Sequence, residues 1–209
     1  QVFTRDFEYE VGLRSVAVSA DKMNVFYIGV DNPISISAAG VPTASLRVST
    51  AGAGGLTLSG TGTSRVAKVT TPTGAEKFAY VVVSGEGLEA TRFPFRVKRI
   101  PSPVAKLGGK ATGGNMGNGE FKAQRGVIAV LEDFDFDARC NIMGFELTRQ
   151  ARNADPITAT NGGGTYGAAA KRLVSQAKPG DTYYFDNVKA KCPGDRAGRL
   201  INAMVFKIK

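Results

Sequence analysis

The stretch Arg99–Lys110, RIPSPVAKLGGK, constrains the fold more than any other part of this 209-residue chain. Pro101 and Pro103 fix their own φ angles and bias the residue before each of them toward extended geometry, so a helix is not expected here. Gly108 and Gly109 follow a few residues later and allow the backbone to turn. The stretch therefore predicts the joint between two domains.

Strand-rich sequence lies on both sides of this joint. Each half holds about 100 residues, which is a common size for a domain. The sequence thus predicts one domain over residues 1–103 and a second over residues 104–209. A long loop inside a single domain is the alternative.

The first half is a series of short apolar, β-branched and aromatic runs separated by turn residues, with no helical period. Lys77–Val83, KFAYVVV, is typical of a central strand. We predict an immunoglobulin-like β-sandwich with an N-terminal arm over residues 1–11. Its predicted strands are Val16–Val18, Met23–Val30, Ile34–Ala38, Leu46–Thr50, Leu56–Ser59, Arg65–Thr70, Lys77–Ser84 and Thr91–Arg99.

Asn32 lies in the triplet Asp31-Asn32-Pro33, which separates two of these runs. Such a triplet commonly starts a strand, because Asn and Asp side chains bond to nearby backbone in turns. A ligand-binding turn is the alternative.

The second half reads as a β-sandwich with one α-helix. The helix is expected over Tyr166–Ala177, where alanine is a strong helix former and Leu173 and Val174 form an apolar stripe. Gly108–Gly119 is predicted to be a loop. The predicted strands are Phe121–Leu131, Phe134–Thr148, Tyr183–Lys191 and Leu200–Lys209.

Histidine is absent from the sequence. Ser-His-Asp and Cys-His catalysis therefore lack their base, and the commonest zinc ligand is missing. No glycine-rich loop ends in the Lys-Ser or Lys-Thr pair that holds phosphate in a P-loop. We predict a chain that is not an enzyme, with no catalytic, cofactor or metal site.

Cys140 and Cys192 are the two cysteines. A disulfide between them would close a loop of about 50 residues and stabilise the second domain by about 4 kcal/mol in the chain-entropy model. It would also place the protein outside the cytosol. Two unrelated small core residues are the alternative.

The net charge of +9 is shared unevenly. Residues 1–103 carry 11 Lys and Arg against 8 Asp and Glu, and residues 104–209 carry 16 against 10. The charges are dispersed and not interleaved with a row of exposed aromatics, so we expect an ordinary solvated surface and no nucleic-acid partner. No apolar run is long enough to span a membrane, and no membrane contact is expected of this part of the chain.

Several segments resemble the C-terminal periplasmic part of the GldM/PorM family. In the second half they are Ile100–Gly109 (IPSPVAKLGG), Phe134–Asp137, Lys178–Lys191 (KPGDTYYFDNVKAK) and Val205–Ile208, and in the first half Tyr27–Pro42 (YIGVDNPISISAAGVP). The resemblance covers nearly the whole chain and carries no catalytic motif.

The resemblance implies a periplasmic, non-catalytic shaft of the type IX secretion and gliding motility machine. In that family an upstream transmembrane helix pairs with a GldL/PorL-type inner-membrane protein as a proton-driven motor. The periplasmic part is a homodimer of successive immunoglobulin-like domains whose far end meets the GldK/GldN (PorK/PorN) ring below the outer membrane. Residues 104–209 would then be the docking domain of a force-transmitting chain.

A ligand-binding sandwich of the carbohydrate-binding or adhesin type is the alternative function. Such modules display aromatic platforms. An exposed row formed by Tyr27, Tyr166, Tyr183 and Tyr184 would favour that alternative.

Overall fold

The computed structural model describes residue 5 and residues 15–20, 24–52, 55–70, 78–109 and 111–209. The chain divides into two units, residues 1–98 and residues 99–209. Strands dominate both of them, which confirms the predicted mainly-β fold class. Apart from Arg5, the predicted arm over residues 1–11 lies outside the described residues.

The described part of the first unit forms two sheets. Their strand orders are β1-β3-β6-β5 and β2-β8-β7-β4. Each strand overlaps a run predicted from the sequence, with its ends shifted by a few residues at most. The strands are β1 Ser15–Ala20, β2 Val25–Tyr27, β3 Asp31–Ala39, β4 Arg47–Gly52, β5 Leu56–Ser59, β6 Ser64–Val69, β7 Phe78–Gly85 and β8 Leu88–Lys98.

These strand orders are those of an immunoglobulin domain. In the usual lettering one sheet reads A-B-E-D, from β1, β3, β6 and β5, and the other reads A′-G-F-C, from β2, β8, β7 and β4. All of these pairings are antiparallel except that of β2 with β8, which is parallel. Strand B is therefore bonded on both of its edges, by A and by E.

The core of the first unit lies between the two sheets. Along β7 the side chains of Ala79, Val81 and Val83 are buried, as the alternation in this run predicts. Phe26 and Phe95 stack with their ring centroids 4.4 Å apart. Complete burial of each such aliphatic or aromatic side chain contributes roughly 1.5–3 kcal/mol.

Asn32 is a structural residue that connects the two sheets of the first unit. Its side chain is 1% exposed. The Oδ1 atom accepts a hydrogen bond from the Tyr27 N–H (2.7 Å), and Nδ2 lies 3.0–3.1 Å from the carbonyl oxygens of Tyr27, Val30 and Ala67. Asn32 thus joins β2 of one sheet to β3 and β6 of the other, and its amide is fully occupied with backbone. This favours the interpretation of the triplet as a strand start.

The second unit combines a large sheet, a short ribbon and helices. The large sheet has the order β10-β16-β14-β12-β13 with β15 beside β14, and the ribbon is β9-β11. The elements are β9 Val104–Leu107, β10 Gly114–Met116, α1 Asn118–Ala123, β11 Val127–Val130, β12 Asn141–Gln150, β13 Ile157–Gly162, α2 Ala168–Ser175, β14 Thr182–Lys191, β15 Arg199–Leu200 and β16 Met204–Ile208.

Two strand predictions in this unit are wrong in part. The predicted strand Phe121–Leu131 begins inside helix α1, and the backbone extends into β11 only after Gly126, whose φ is +154°. The predicted strand Phe134–Thr148 begins only at Asn141. Asp133 adopts a positive φ of 51°, which breaks the extended backbone before the alternating Asp and Phe residues. The main helix lies where it was predicted, whereas α1 was not predicted.

The second unit keeps part of the immunoglobulin frame. β9 and β11 pair as A and B do, β10 runs parallel to β16 as A′ does to G, and β16, β14 and β12 follow as G, F and C. β13 adds a strand beside C. Between Gly162 and Thr182, a stretch that is described throughout, the chain forms helix α2 and no strand. Strand E of the first unit has no counterpart here.

Helix α2 is tied to the large sheet by side chains of the strands. The Tyr183 hydroxyl donates a hydrogen bond to the Leu173 carbonyl (2.7 Å), and burial raises the pKa of Tyr183 to about 12. Arg149 donates from Nε to Asp181 Oδ2 (2.9 Å) and from Nη1 to Gln176 Oε1 (3.0 Å). One face of the sheet and the helices then share a core in which Phe121 packs on Tyr183, Phe185 and Phe206.

Replacing Asn32 with alanine should destabilise the first unit by about 3 kcal/mol, because four hydrogen bonds, two buried and two partly buried, disappear together. Native-state hydrogen exchange of the β3 and β6 amides measures this loss. Asp31→Asn is the matched control. It breaks an ion pair between Asp31 and Lys68 (3.4 Å) whose side chains are 69% and 52% exposed, and it should cost less than about 1 kcal/mol. Equal losses in the two variants would contradict the role given to Asn32.

Candidate functional site

A groove of about 810 Å³ runs along the outer edge of β11 in the second unit. This volume lies within the range of about 300–1,000 Å³ that ligand pockets occupy. β11 forms one wall, and the segment Arg139–Ile142, where β12 begins, forms the other. The lining combines the apolar residues Val127, Cys140 and Ile142, whose side chains are largely buried, with polar side chains and backbone.

One end of the groove is closed by backbone packed against backbone. The Val127 N–H donates to the Gly164 carbonyl (2.8 Å), and Gly126 forms an antiparallel bridge with Thr165. A Cβ atom at Gly164 would lie 2.6 Å from the Val127 carbonyl oxygen, and one at Gly126 would meet the Gly164 carbonyl oxygen. These two glycines therefore allow β13 to end directly beside the start of β11.

The charged residues that line the groove are both basic. Arg125 and Arg139 are exposed, and neither forms an ion pair with any residue that the structure describes. No carboxylate is among the lining residues. The groove thus combines a mixed polar and apolar lining with two arginines that have no ion-pair partner among the described residues.

The predicted site residues fall partly on this groove. Gly108 and Gly109 line it and have positive φ values of 62° and 75° in the turn after β9. Cys140 lines it as well. Pro101 and Pro103 precede β9 and do not line it. The last residue of the predicted joint, Lys110, lies outside the described residues.

Cys140 and Cys192 are joined by a disulfide that spans 52 residues of sequence. Cys140 directly precedes β12 and Cys192 directly follows β14, and these strands pair with Asn141 opposite Lys191. The bond therefore fastens the open ends of two neighbouring strands. Since Cys140 belongs to the groove wall, the bond also holds that wall in place.

The sequence did not predict the two arginines that give the groove its positive charge. Arg125 and Arg139 are ordinary dispersed charges in the sequence, and they come together only because β11 and the start of β12 lie side by side. The available signal was the order of the later predictions: the predicted strand Phe134–Thr148 is followed by the predicted helix Tyr166–Ala177, where an immunoglobulin domain would continue with strands.

The tyrosines proposed as an aromatic platform do not form an exposed row. Tyr183 is fully buried, and Tyr166 packs against the core of the second unit. Burial also raises the pKa of Tyr166. Tyr27 belongs to the other unit and, like Tyr184, is half-buried. This arrangement gives the ligand-binding alternative no support.

No group of three or more His, Cys, Asp or Glu side chains among the described residues is placed to hold a metal ion. No helix in the described ranges is long and apolar enough to cross a membrane.

Two family models match the chain, one for each unit. The model of the GldM third domain matches residues 15–98, and the model of the GldM C-terminal domain matches residues 101–209. A comparison with curated proteins finds no match.

Solved structures give only weak likenesses. The adhesin InvE of Yersinia pseudotuberculosis is 14% identical with a TM-score of 0.29, over 91% of this chain and 58% of that one, so this chain spans less than two thirds of the adhesin. Domains 6–7 of the surface layer protein SbsC are 9% identical with a TM-score of 0.30, over 92% of this chain and 97% of that one. The first eight immunoglobulin domains of the Down syndrome cell adhesion molecule are 11% identical with a TM-score of 0.30, over 94% and 25%. TM-scores this low carry no inference about this chain.

Removing the disulfide should loosen the groove wall. We expect the double variant Cys140→Ala, Cys192→Ala to lose up to about 4 kcal/mol of stability in the second unit, because a 52-residue loop is no longer closed in the unfolded chain. Hydrogen exchange should be faster at Arg139–Ile142, and treating the unaltered chain with a reductant should reproduce the effect. Protection that stays the same in both cases would contradict the role of the bond.

Proposed function

The chain belongs to the GldM family, and on that premise we propose that it is a non-catalytic docking and force-transmitting part of its machine. Membership makes the chain a component of the gliding motility and type IX secretion machinery. The proposal adds the role within it. The chain passes force from an inner-membrane, proton-driven motor to a ring at the outer membrane, and its second unit makes the outer contact.

One observation carries this role: the second unit, which matches the family's C-terminal domain, contains an open groove beside β11. The groove is open, and its lining includes two exposed arginines and no carboxylate. A docking surface needs these properties and needs no cofactor.

The location we propose is the periplasm, with the full-length protein anchored upstream in the inner membrane beside a GldL/PorL-type partner. The disulfide between Cys140 and Cys192 supports a compartment outside the cytosol, because thiols are kept reduced in the cytosol. We also propose that the working form is a homodimer. Pro101 and Pro103, which precede the second unit, keep their predicted role as a stiff joint.

The docking role predicts that the second unit is required for contact with the outer-membrane ring. The full chain should retain purified GldK/GldN (PorK/PorN)-type ring proteins in affinity capture, and a chain ending at Lys98 should not retain them. Circular dichroism of the shortened chain serves as its folding control. Equal capture by a folded chain that ends at Lys98 would contradict the proposal.

A further inference from the structure

We propose that the β11 groove binds an extended, acidic segment of another protein, which adds to the second unit as the strand it lacks. This inference rests on the docking role proposed above and names the chemistry of the partner at that site. The segment lies beside β11 in the position that strand E holds beside strand B in the first unit.

The comparison of the two units shows where the strand is missing. In the first unit β3 is bonded by β1 along one edge and by β6 along the other. In the second unit β11 corresponds to β3 and is bonded by β9 along one edge. Along its other edge, the bonds to described residues lie at its start, where the Val127 N–H donates to the Gly164 carbonyl and the Tyr166 N–H donates to the Arg125 carbonyl. Further along β11, Ala129 lines the groove.

The backbone of Ala129 faces the groove with both of its polar groups. The Val127 N–H points away from β9, toward Gly164, and residues two apart on a strand direct their N–H and C=O groups to the same side. Ala105 lies opposite Ala129 on β9, but its backbone groups bond to the Asn202 side chain. The Ala105 N–H donates to Asn202 Oδ1 (2.7 Å), and Asn202 Nδ2 donates to the Ala105 carbonyl (3.2 Å). Ala105 and Ala129 are therefore a non-hydrogen-bonded pair.

Within the described residues the Ala129 N–H and C=O form no hydrogen bond. An extended chain laid along this edge would satisfy both groups, which is how a peptide adds a strand to an exposed sheet edge. Because strand side chains alternate, every second side chain of the added segment would meet the groove lining, including Val127, Cys140 and Ile142, and should be small and apolar.

Charge determines the remaining side chains of the segment. Arg125 and Arg139 line the groove, neither forms an ion pair with a described carboxylate, and no lining residue is acidic. Hydrogen bonds from arginine to a carboxylate are roughly twice as strong as neutral ones. A segment with Asp or Glu at alternate positions therefore fits this groove, and a basic segment is repelled.

In the first experiment the full chain is titrated with synthetic, end-capped heptapeptides, and isothermal titration calorimetry measures their binding. In one peptide glutamate alternates with threonine and valine, and in a second lysine replaces each glutamate. Two further acidic peptides carry N-methyl groups at alternate residues, on one edge or on the other. We expect the acidic peptide to bind, the lysine peptide to fail, and one of the two N-methylated peptides to bind about tenfold more weakly or worse.

The second experiment reverses the groove charges. Arg125→Glu with Arg139→Glu should weaken binding of the acidic peptide by about tenfold or more. The matched control is Lys189→Glu with Lys207→Glu, which makes the same change of net charge at exposed positions that do not line the groove. This control should bind as the unaltered chain does.

Equal binding of the acidic and lysine peptides, or equal affinities in the two charge-reversed variants, would overturn the inference. It would also be overturned if the groove variants broke a dimer of the chain while leaving peptide binding unchanged, because a second copy would then be the occupant. Ring capture that persists in the groove variants would overturn this inference and leave the docking role intact. Peptide binding without ring capture would support the groove and count against the docking role.

Discussion

The backbone N–H and C=O groups at every strand edge need hydrogen-bond partners, and this requirement explains the open edge of β11 in the second unit. The groups of an edge without a neighbouring strand form hydrogen bonds either to water or to another chain. In the first unit each edge of β3 is taken by a neighbouring strand. In the second unit the chain makes helix α2 at the point where strand E would form, and the edge of β11 stays open at Ala129.

The structure compensates for the absent strand in two ways. Helices α1 and α2 supply core side chains such as Phe121 and Leu173, so the large sheet remains covered on one face. Gly126 and Gly164 bring two backbones into contact and close the start of the β11 edge. The disulfide at Cys140 then secures the facing wall. What remains open is a short, basic groove with fixed sides, which is better suited to receive a segment than a mobile loop would be.

Much of the first unit was predictable because its strands alternate regularly and are separated by turn residues. Lys77–Ser84 was predicted as a strand, with Lys77–Val83 typical of a central one, and β7 of the structure is this strand shifted by one residue at each end. The second unit was less predictable. β9 lies within the proline- and glycine-rich stretch that was interpreted as a joint, and β10 lies within a segment predicted to be a loop. Both are short strands, and their partners lie on distant parts of the chain, so local sequence carries little signal for them.

The groove itself was not predictable from local patterns. Gly108, Gly109 and Cys140 were singled out for other reasons, as a turn and as half of a disulfide, and they meet at the groove because of the fold. Arg125 and Arg139 can be recognised as binding residues only once the edge of β11 is known to lack a neighbouring strand. A missing strand leaves no motif in the sequence. The open edge of β11 is recognised because the corresponding strand of the first unit, β3, has a neighbour on each side.

The most direct measurement is the exchange rate of the single Ala129 amide, resolved by NMR in the full chain alone and with the acidic heptapeptide at saturation. The account predicts that exchange at Ala129 slows markedly when the peptide binds. It also predicts no change along the outer edge of β5, the edge strand that follows β6 in the first unit. An Ala129 amide that exchanges at the same rate in the bound and free chains would show that no strand forms at this edge, and would contradict the account.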